Sequence, residues 1–352
     1  MITELKKRVI LCGTRYGALY LPAIHAIEHL QIVGVLAKGS GRSNQIAEQC
    51  GVPLYKNVSE INTPLDLAIV AIGGEIGLGV ANELLKKKVP VLLEHPISHR
   101  DLLSVLNCAE REGVPFHINS HFPLLPPSVD FLKASGKLID HSQPLVVNCA
   151  CNPRTLFSFL DLLMRALGVF EINDFELDVM GSRSLPYEVL TFEMNEVPVI
   201  LCYQAWEGSQ DDSRDSPVGH GLQITFPEGV LSLMGSYGPV VWNPLIAAKR
   251  NGQLPVFEGL DRYLGLRPRD LYQWRQKANR QAILELEKSD YKSSPYQRKE
   301  YLTVLSKNYS RMKEVLGEPK IHEPIEFIPE YGMGMFADKP KVVLQKAAME
   351  FF

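Results

Sequence analysis

The sequence has no hydrophobic run long enough to cross a membrane and no strong charge of either sign. A transmembrane helix needs about 20 consecutive apolar residues, and the polar start Met1–Arg8 lacks the apolar segment of a signal peptide. The 352 residues carry a formal net charge of −3, which provides no basic surface for nucleic acid or an anionic membrane. We therefore expect a cytoplasmic protein that binds neither.

Cysteine is scarce and shows no pattern typical of metal sites. None of the six cysteines belongs to a Cys-x-x-Cys pair or has histidine at a metal-ligand spacing, so we predict no metal. Most should be free and buried, including Cys149 and Cys151, which share one face of an apparent strand. A hydrophobic content of 45% and a charged content of 22% are ordinary for a globular chain of two domains.

The stretch Arg8–Ala18 predicts a nucleotide-binding turn. It reads as a buried strand, a glycine turn and the start of a helix that continues through Leu19–Leu30. A helix N-terminus attracts phosphate because its N–H groups are unpaired. In the Gly-x-Gly-x-x-Gly/Ala register, Arg15 replaces the second glycine, and an ordinary turn between strand and helix is the alternative. The candidate cofactor ligands here are Gly13, Thr14, Arg15, Tyr16 and Gly17.

The end of the second apolar strand, Gln31–Ala37, indicates which cofactor binds. Folds that bind NAD carry Asp or Glu about 20 residues after the glycines, where the carboxylate accepts hydrogen bonds from the ribose hydroxyls. Residues 37–43 contain no acid and instead carry Lys38, Ser40, Arg42 and Ser43. Bases and hydroxyls suit the 2′-phosphate of NADPH, although a solvated loop with a serine N-cap is the alternative.

Strands and helices then alternate, which predicts an α/β Rossmann-type parallel sheet domain over residues 1–121. Ligands of such sheets bind at the carboxyl edge, so Gly73, Gly74 and Glu94 are further candidate cofactor ligands. The expected strand ends are Gly13, Ala37, Gly73, Glu94 and Asn119.

Residues 122–352 predict an α+β domain for the substrate, with a large, mainly antiparallel sheet, C-terminal helices and a tail. The charged stretch Glu207–Gly221 is either a mobile flap or docking loop, or a plain loop. Strand-like runs begin at Phe175–Met180, and helices are expected at Thr155–Leu167, Pro268–Lys288, Pro295–Leu316 and Lys341–Phe352.

Four segments of the chain carry a resemblance to a known family: residues 9–17, residues 36–43, Glu94-His95-Pro96 and residues 158–168. Together they resemble the thiazolinyl imine reductases of siderophore biosynthesis, within the glucose–fructose oxidoreductase, inositol dehydrogenase and rhizopine-catabolism superfamily. The resemblance implies NADPH-dependent reduction of a thiazoline C=N to a thiazolidine, on an intermediate tethered to a carrier domain of a nonribosomal peptide synthetase. It also implies a homodimer that pairs through the flat face of the second sheet.

His95 and His121 are the candidate catalytic residues. The superfamily's sugar dehydrogenases have a catalytic lysine in place of His95, and a histidine in place of Arg165, four residues after Asp161. Histidine titrates near neutrality and can give a proton to an imine nitrogen, so these departures fit an imine better than a sugar. Related reductases have a tyrosine about where Phe122 stands, which leaves His95, His121 or water as the donor. A structural role for His95 is the alternative.

Phe122, Asn152, Asp161 and Arg165 are the candidate substrate contacts. Phe122 packs either against an aromatic ring of the substrate or only in the core. Asp161 and Arg165 share a helix face, so an ion pair between them is the alternative. Two other functions stay open: an NADP-dependent sugar or cyclitol oxidoreductase, and a non-catalytic regulator that binds NADP.

Overall fold

The chain folds into two large sheets with helices packed against them. The computed structural model describes residues 5–168, 178–181, 187–208, 219–245, 268–288 and 294–322. The predicted helix Lys341–Phe352, most of the predicted flap and the start of the strand predicted at Phe175 lie outside the described residues. Both predicted fold classes are confirmed, since the first sheet is parallel and the second is mainly antiparallel.

The first sheet holds the predicted nucleotide-binding turn. Its strands are β1 (Lys7–Cys12), β2 (Leu30–Leu36), β3 (Leu54–Tyr55), β4 (Leu67–Val70), β5 (Val91–Glu94) and β6 (Phe116–Asn119). They lie in the order β3-β2-β1-β4-β5-β6. The helices between them are α1 (Leu21–His25), α2 (Gly41–Cys50), α3 (Gly74–Lys86) and α4 (His99–Glu112). All four β4 residues are buried, as expected when helices cover both faces of a parallel sheet.

The helix predicted through Leu19–Leu30 is wrong. A 3-10 turn over Gly17–Tyr20 precedes α1, which ends at His25. The backbone N–H of Ile27 donates to Ile24 and that of Leu30 donates to Ile27, both at 3.0 Å. Apolar residues three positions apart are compatible with a 3-10 turn as well as with an α-helix. The spacing of Ile24, Ile27 and Leu30 therefore could not distinguish the two structures.

The second sheet follows α5 (Pro126–Ile139), which begins after a 3-10 turn over Phe122–Leu124. The remaining elements are β7 (Val146–Cys151), α6 (Leu156–Leu167), β8 (Asp178–Gly181), β9 (Tyr187–Met194), β10 (Val197–Gln204), β11 (Trp206–Gly208), β12 (Gly221–Phe226), β13 (Gly229–Leu233), β14 (Val240–Pro244), α7 (Pro268–Glu287), α8 (Lys299–Leu316) and β15 (Lys320–His322). The strands of the second sheet lie in the order β14-β13-β12-β7-β10-β9-β8, and among its described pairs only β7 and β10 run parallel. β11 and β15 form a separate parallel pair. α6 is buried except at Arg165, which makes it the centre of this core.

Two features complete the fold. Gln297, in a 3-10 turn before α8, hydrogen-bonds both backbone groups of Ile118 in β6, each at 2.9 Å. β6 has only β5 beside it in the sheet, so the Gln297 amide occupies the position of a further strand. None of the described helices is both long enough and apolar enough to cross a bilayer.

Candidate active site

The predicted catalytic residues meet at the carboxyl edge of the first sheet. β5 ends at Glu94 and β6 ends at Asn119, and these two residues are paired across the strands. His95 and His121 follow directly, and their ring centroids lie 5.9 Å apart. The order of two parallel strands therefore brings together residues that are 26 positions apart in the chain.

Glu94 lies between the two histidines and a tyrosine. Its Oε1 is 3.1 Å from His95 Nδ1 and 3.8 Å from His121 Nδ1, and its Oε2 accepts a hydrogen bond from the Tyr20 hydroxyl. Burial favours the neutral acid, but the hydrogen bonds and charges of the two histidines outweigh it and lower the pKa of Glu94 to about 2. The carboxylate is thus an anion that holds the histidines; its role as a cofactor ligand stays a prediction.

His95 has one ring nitrogen engaged and one not. Its Nδ1 lies 2.8 Å from the backbone oxygen of Asn119; a carbonyl only accepts, so Nδ1 carries a proton. Among the described residues, no group hydrogen-bonds Nε2. Burial lowers the pKa of His95, but the hydrogen bond and charge of Glu94 outweigh it and leave the pKa above its ordinary value. Glu94 therefore favours the protonated ring, in which Nε2–H is left for a ligand.

The pKa of His121 is displaced in the opposite direction to that of His95. Burial is the main effect on its pKa, and with the charges of Arg275 and His95 it outweighs Glu94, so the pKa is lowered. Its buried Nε2 has no hydrogen-bond partner among the described residues. The His121 ring stacks on Phe122 at 4.2 Å. Neighbouring groups with pKa values displaced in opposite directions are typical of acid–base sites.

Asp161 and Arg165 form the alternative ion pair and not the predicted substrate contacts. Arg165 makes two hydrogen bonds to the Asp161 carboxylate, at 2.7 and 2.9 Å. Ser120 and Tyr301 donate to the same carboxylate, and the Arg165 guanidinium lies 4.1 Å from the centroid of the Tyr296 ring. Only 2% of the Asp161 side chain and 9% of the Arg165 side chain are exposed, so little of either can reach a substrate.

Two other predicted substrate contacts have structural roles. Phe122 is buried with Leu125 and Ala278, and its ring lies 4.1 Å from that of His220, which favours the core alternative. The Asn152 side-chain oxygen accepts from the backbone N–H groups of Arg154 and Thr155, at 2.9 and 3.0 Å. It therefore holds the turn that leads into α6.

Sequence reasoning missed His220, which lies beneath Phe122. His220 is completely buried; its Nε2 is 2.7 Å from Ser158 Oγ and its Nδ1 is 2.8 Å from Ser236 Oγ. Burial, followed by the charges of His121 and His95, lowers the pKa of His220 well below its ordinary value. A neutral, doubly hydrogen-bonded histidine is a support for the site, and its partners lie 62 and 16 residues away, where no local spacing would reveal them.

The cofactor turn has the close packing that glycine permits. Gly13 has φ of +88°, and a Cβ there would lie 2.5 Å from the Ala71 backbone oxygen, so the turn lies directly against the end of β4. Gly17 packs on Leu11, Thr14 is buried, and Arg15 and Tyr16 are exposed. Gly73 and Gly74 are exposed at the start of α3.

The segment after β2 combines both interpretations of its sequence. Ser40 is the N-cap of α2 and accepts from the Ser43 backbone N–H. Ser43 is completely buried, and its hydroxyl donates to the Ser40 backbone oxygen at 2.8 Å, so it belongs to the cap and not to a phosphate site. Lys38, Ser40 and Arg42 are exposed. Two cations and a helix N-terminus suit the extra phosphate of NADPH.

Glu94, His95 and His121 also have the donor types of a transition-metal site. One ligand atom from each lies within 4.8 Å of the others, and no other group of three such residues in the described ranges meets this criterion. The hydrogen bonds above already account for the Glu94 carboxylate and His95 Nδ1. The same three side chains can also serve proton transfer.

Two family models match the chain. Residues 7–120 match the oxidoreductase family with an NAD-binding Rossmann fold, and residues 142–243 match the C-terminal domain of Irp3-like thiazolinyl imine reductases. These matches confirm the predicted resemblance. No curated protein sequence matches the chain.

Solved structures share the fold at low sequence identity. The WlbA dehydrogenase from Bordetella pertussis, solved with NADH and UDP-GlcNAcA, is 12% identical with a TM-score of 0.65, over 89% of this chain and 97% of its own. GenD2 from gentamicin A biosynthesis, solved with NAD, is 12% identical with a TM-score of 0.64, over 88% of this chain and 95% of its own. At such identities the likeness shows the fold alone.

Proposed function

We propose that this oxidoreductase reduces a thiazoline C=N to a thiazolidine with NADPH. Its residues 7–120 match the NAD-binding Rossmann oxidoreductase family, and its residues 142–243 match the C-terminal domain of Irp3-like thiazolinyl imine reductases. The observation that carries the proposal is the state of His95. Its Nδ1–H is held by Asn119, Glu94 favours the protonated ring, and Nε2 has no partner among the described residues. This is the arrangement of a general acid.

The reaction adds a hydride to the imine carbon and a proton to the imine nitrogen. NADPH, when bound, supplies the hydride. The Nε2–H of His95 gives the proton to nitrogen, which completes the C–H and N–H bonds of the thiazolidine. His95 is then neutral with its proton on Nδ1, the tautomer that the Asn119 oxygen requires. Glu94 stays ionised throughout, so no second proton has to move.

The alternative sugar or cyclitol oxidoreductase has less support from the geometry. Oxidation of an alcohol needs a base that removes the hydroxyl proton as hydride leaves, whereas Glu94 favours the protonated form of His95, which cannot accept that proton. The sugar dehydrogenases have a histidine four residues after an aspartate. In this chain those two positions hold the buried pair Asp161 and Arg165. Arginine does not lose its proton in proteins.

NADPH is the proposed cofactor because the exposed Lys38, Ser40 and Arg42 lie where an acid would bind the ribose of NAD. Arg42→Ala should raise the KM for NADPH about tenfold, as expected for the loss of a charge-assisted hydrogen bond, and leave the KM for NADH unchanged. The matched control is Arg100→Ala, which removes an arginine that is almost fully exposed elsewhere. Equal use of both cofactors by the native protein would contradict the assignment.

Two partners belong to the proposal: a carrier domain that presents the tethered substrate, and a second copy of the chain. The outer face of the second sheet supports the homodimer. Ile200 in β10 and Val241 in β14 lie in one row on that face, with 40% and 42% of their surfaces exposed. Ile200→Glu combined with Val241→Glu should convert a dimer to a monomer in light scattering, and a native monomer would disprove the pairing.

The test of the function is NADPH oxidation with a synthetic thiazoline thioester, beside a panel of sugars and cyclitols with NADP. Turnover of the thiazoline alone supports the proposal. Turnover of a sugar alone would identify a sugar oxidoreductase. Tight binding of NADPH without oxidation by any substrate would identify a regulator.

A further inference from the structure

The hydroxyl of Tyr20 lies at the junction between the cofactor turn and His95. Tyr20 ends the 3-10 turn that begins at Gly17 and is 2% exposed. Its hydroxyl donates to Glu94 Oε2 and accepts from Asn119 Nδ2 at 2.6 Å. Glu94 and Asn119 are the two residues that hold His95 Nδ1, so a single hydroxyl contacts both partners of the histidine.

We propose that Tyr20 is a positioning residue that turns the Glu94 carboxylate towards His95 and so keeps the proton donor charged. The proposal rests on the proposed function, in which His95 is the acid. In the described part of the chain, Tyr20 is the only donor to Glu94 Oε2. With Oε2 fixed on Tyr20, Oε1 faces His95 at 3.1 Å and His121 at 3.8 Å.

Removal of the hydroxyl has one expected direction. Phenylalanine keeps the ring packing against Val9, Leu11 and Ile24 but leaves Oε2 buried without a donor. The carboxylate can respond by turning to another donor or by taking up a proton, because burial favours the neutral acid. Either response removes negative charge from His95 and lowers its pKa.

The other groups around the histidines do not depend on Tyr20. Asp161 on α6 adds negative charge that favours protonated His95, and Arg275 on α7 disfavours protonated His121. His220 is neutral because of its burial. Asn119 keeps a second acceptor in Asn279, at 3.0 Å. The change in Tyr20→Phe should therefore be confined to the Glu94 carboxylate and the ring it faces.

The matched control is Tyr301→Phe. Tyr301 is another buried tyrosine whose hydroxyl donates to a buried carboxylate, Asp161 Oδ1, at 2.7 Å. Without that hydroxyl, Asp161 still has its two hydrogen bonds from Arg165. Both variants lose one buried hydrogen bond to a carboxylate, so a purely structural effect would be common to both.

The experiment is an NMR titration of the histidine rings in the full chain without substrate. His95→Asn identifies the His95 signal among the nine histidines. In Tyr20→Phe the His95 midpoint should fall by about one pH unit, and in Tyr301→Phe it should not move. An unchanged or higher midpoint in Tyr20→Phe, or an equal fall in both variants, would overturn the inference.

Kinetics give a second readout. In Tyr20→Phe the loss of activity with rising pH should begin at lower pH, with kcat reduced and the KM for NADPH unchanged. A rise in that KM with kcat unchanged would show that Tyr20 acts on the cofactor turn instead and would overturn the inference. A native protein that reduces no thiazoline would overturn the proposed function, whereas the substrate-free titration would still decide the role of Tyr20.

Discussion

Glu94 and Asp161 are both buried carboxylates that accept a hydrogen bond from a tyrosine and contact a cation, yet their surroundings allow different chemistry. Asp161 receives hydrogen bonds from Arg165, Tyr301 and Ser120, and its cation cannot give up a proton. The cation of Glu94 is a histidine that can, and one nitrogen of that ring has no partner among the described residues. An ion pair whose donors are all engaged supports the fold. An ion pair with one free donor can also give a proton to a substrate.

The largest expected effect is on the histidine of the Glu94 group. His95→Asn keeps a side-chain donor towards Asn119 but removes the acid, so kcat for the thiazoline should fall by about 10²- to 10⁴-fold. NADPH oxidation by stopped-flow absorbance measures the fall, and unchanged NADPH binding serves as the control. Loss of less than about tenfold would point to water or His121 as the donor and would remove the proposed contrast between the two carboxylates.

Arg165→Met tests the opposite group. It leaves the buried Asp161 carboxylate without its cation, and the free energy of unfolding should fall by about 3–5 kcal/mol. Urea unfolding followed by circular dichroism measures this loss, with Arg100→Met as the exposed control. For the protein that remains folded, the KM for the thiazoline substrate should not change. A higher KM with an unchanged free energy of unfolding would show that Arg165 contacts the substrate.

The pH dependence of kcat sharpens the contrast. The pKa of His95 is raised above its ordinary value by Glu94, so the acid is present at low pH and activity falls as the pH rises through that pKa. Glu94→Gln removes the anion, and the fall should move about one pH unit lower. If kcat of Glu94→Gln falls at the same pH as kcat of the native protein, a group other than His95 beside Glu94 sets that pH.

The sequence was sufficient to predict the residue contacts that follow from strand order and from helical spacing. Parallel strands that end at Glu94 and Asn119 bring His95 and His121 to one edge, and an i, i+4 spacing places Asp161 beside Arg165. It did not reveal Tyr20, 74 residues from Glu94, or the serines that hold His220, because such contacts depend on how distant elements pack. The predicted helix through Leu30 failed because residues 24, 27 and 30 fit two kinds of helix equally well.

The side chain of Gln297 makes the sheet edge next to His95 and His121 depend on a late part of the chain. β6 ends at Asn119, two residues before His121, and the residue that covers the open side of β6 at Ile118 lies 179 positions later. During synthesis, β6 leaves the ribosome long before Gln297 does, so its unpaired N–H and C=O groups are exposed to other strands in the meantime. A chain shortened before residue 295 should retain the nucleotide-binding turn but self-associate through β6.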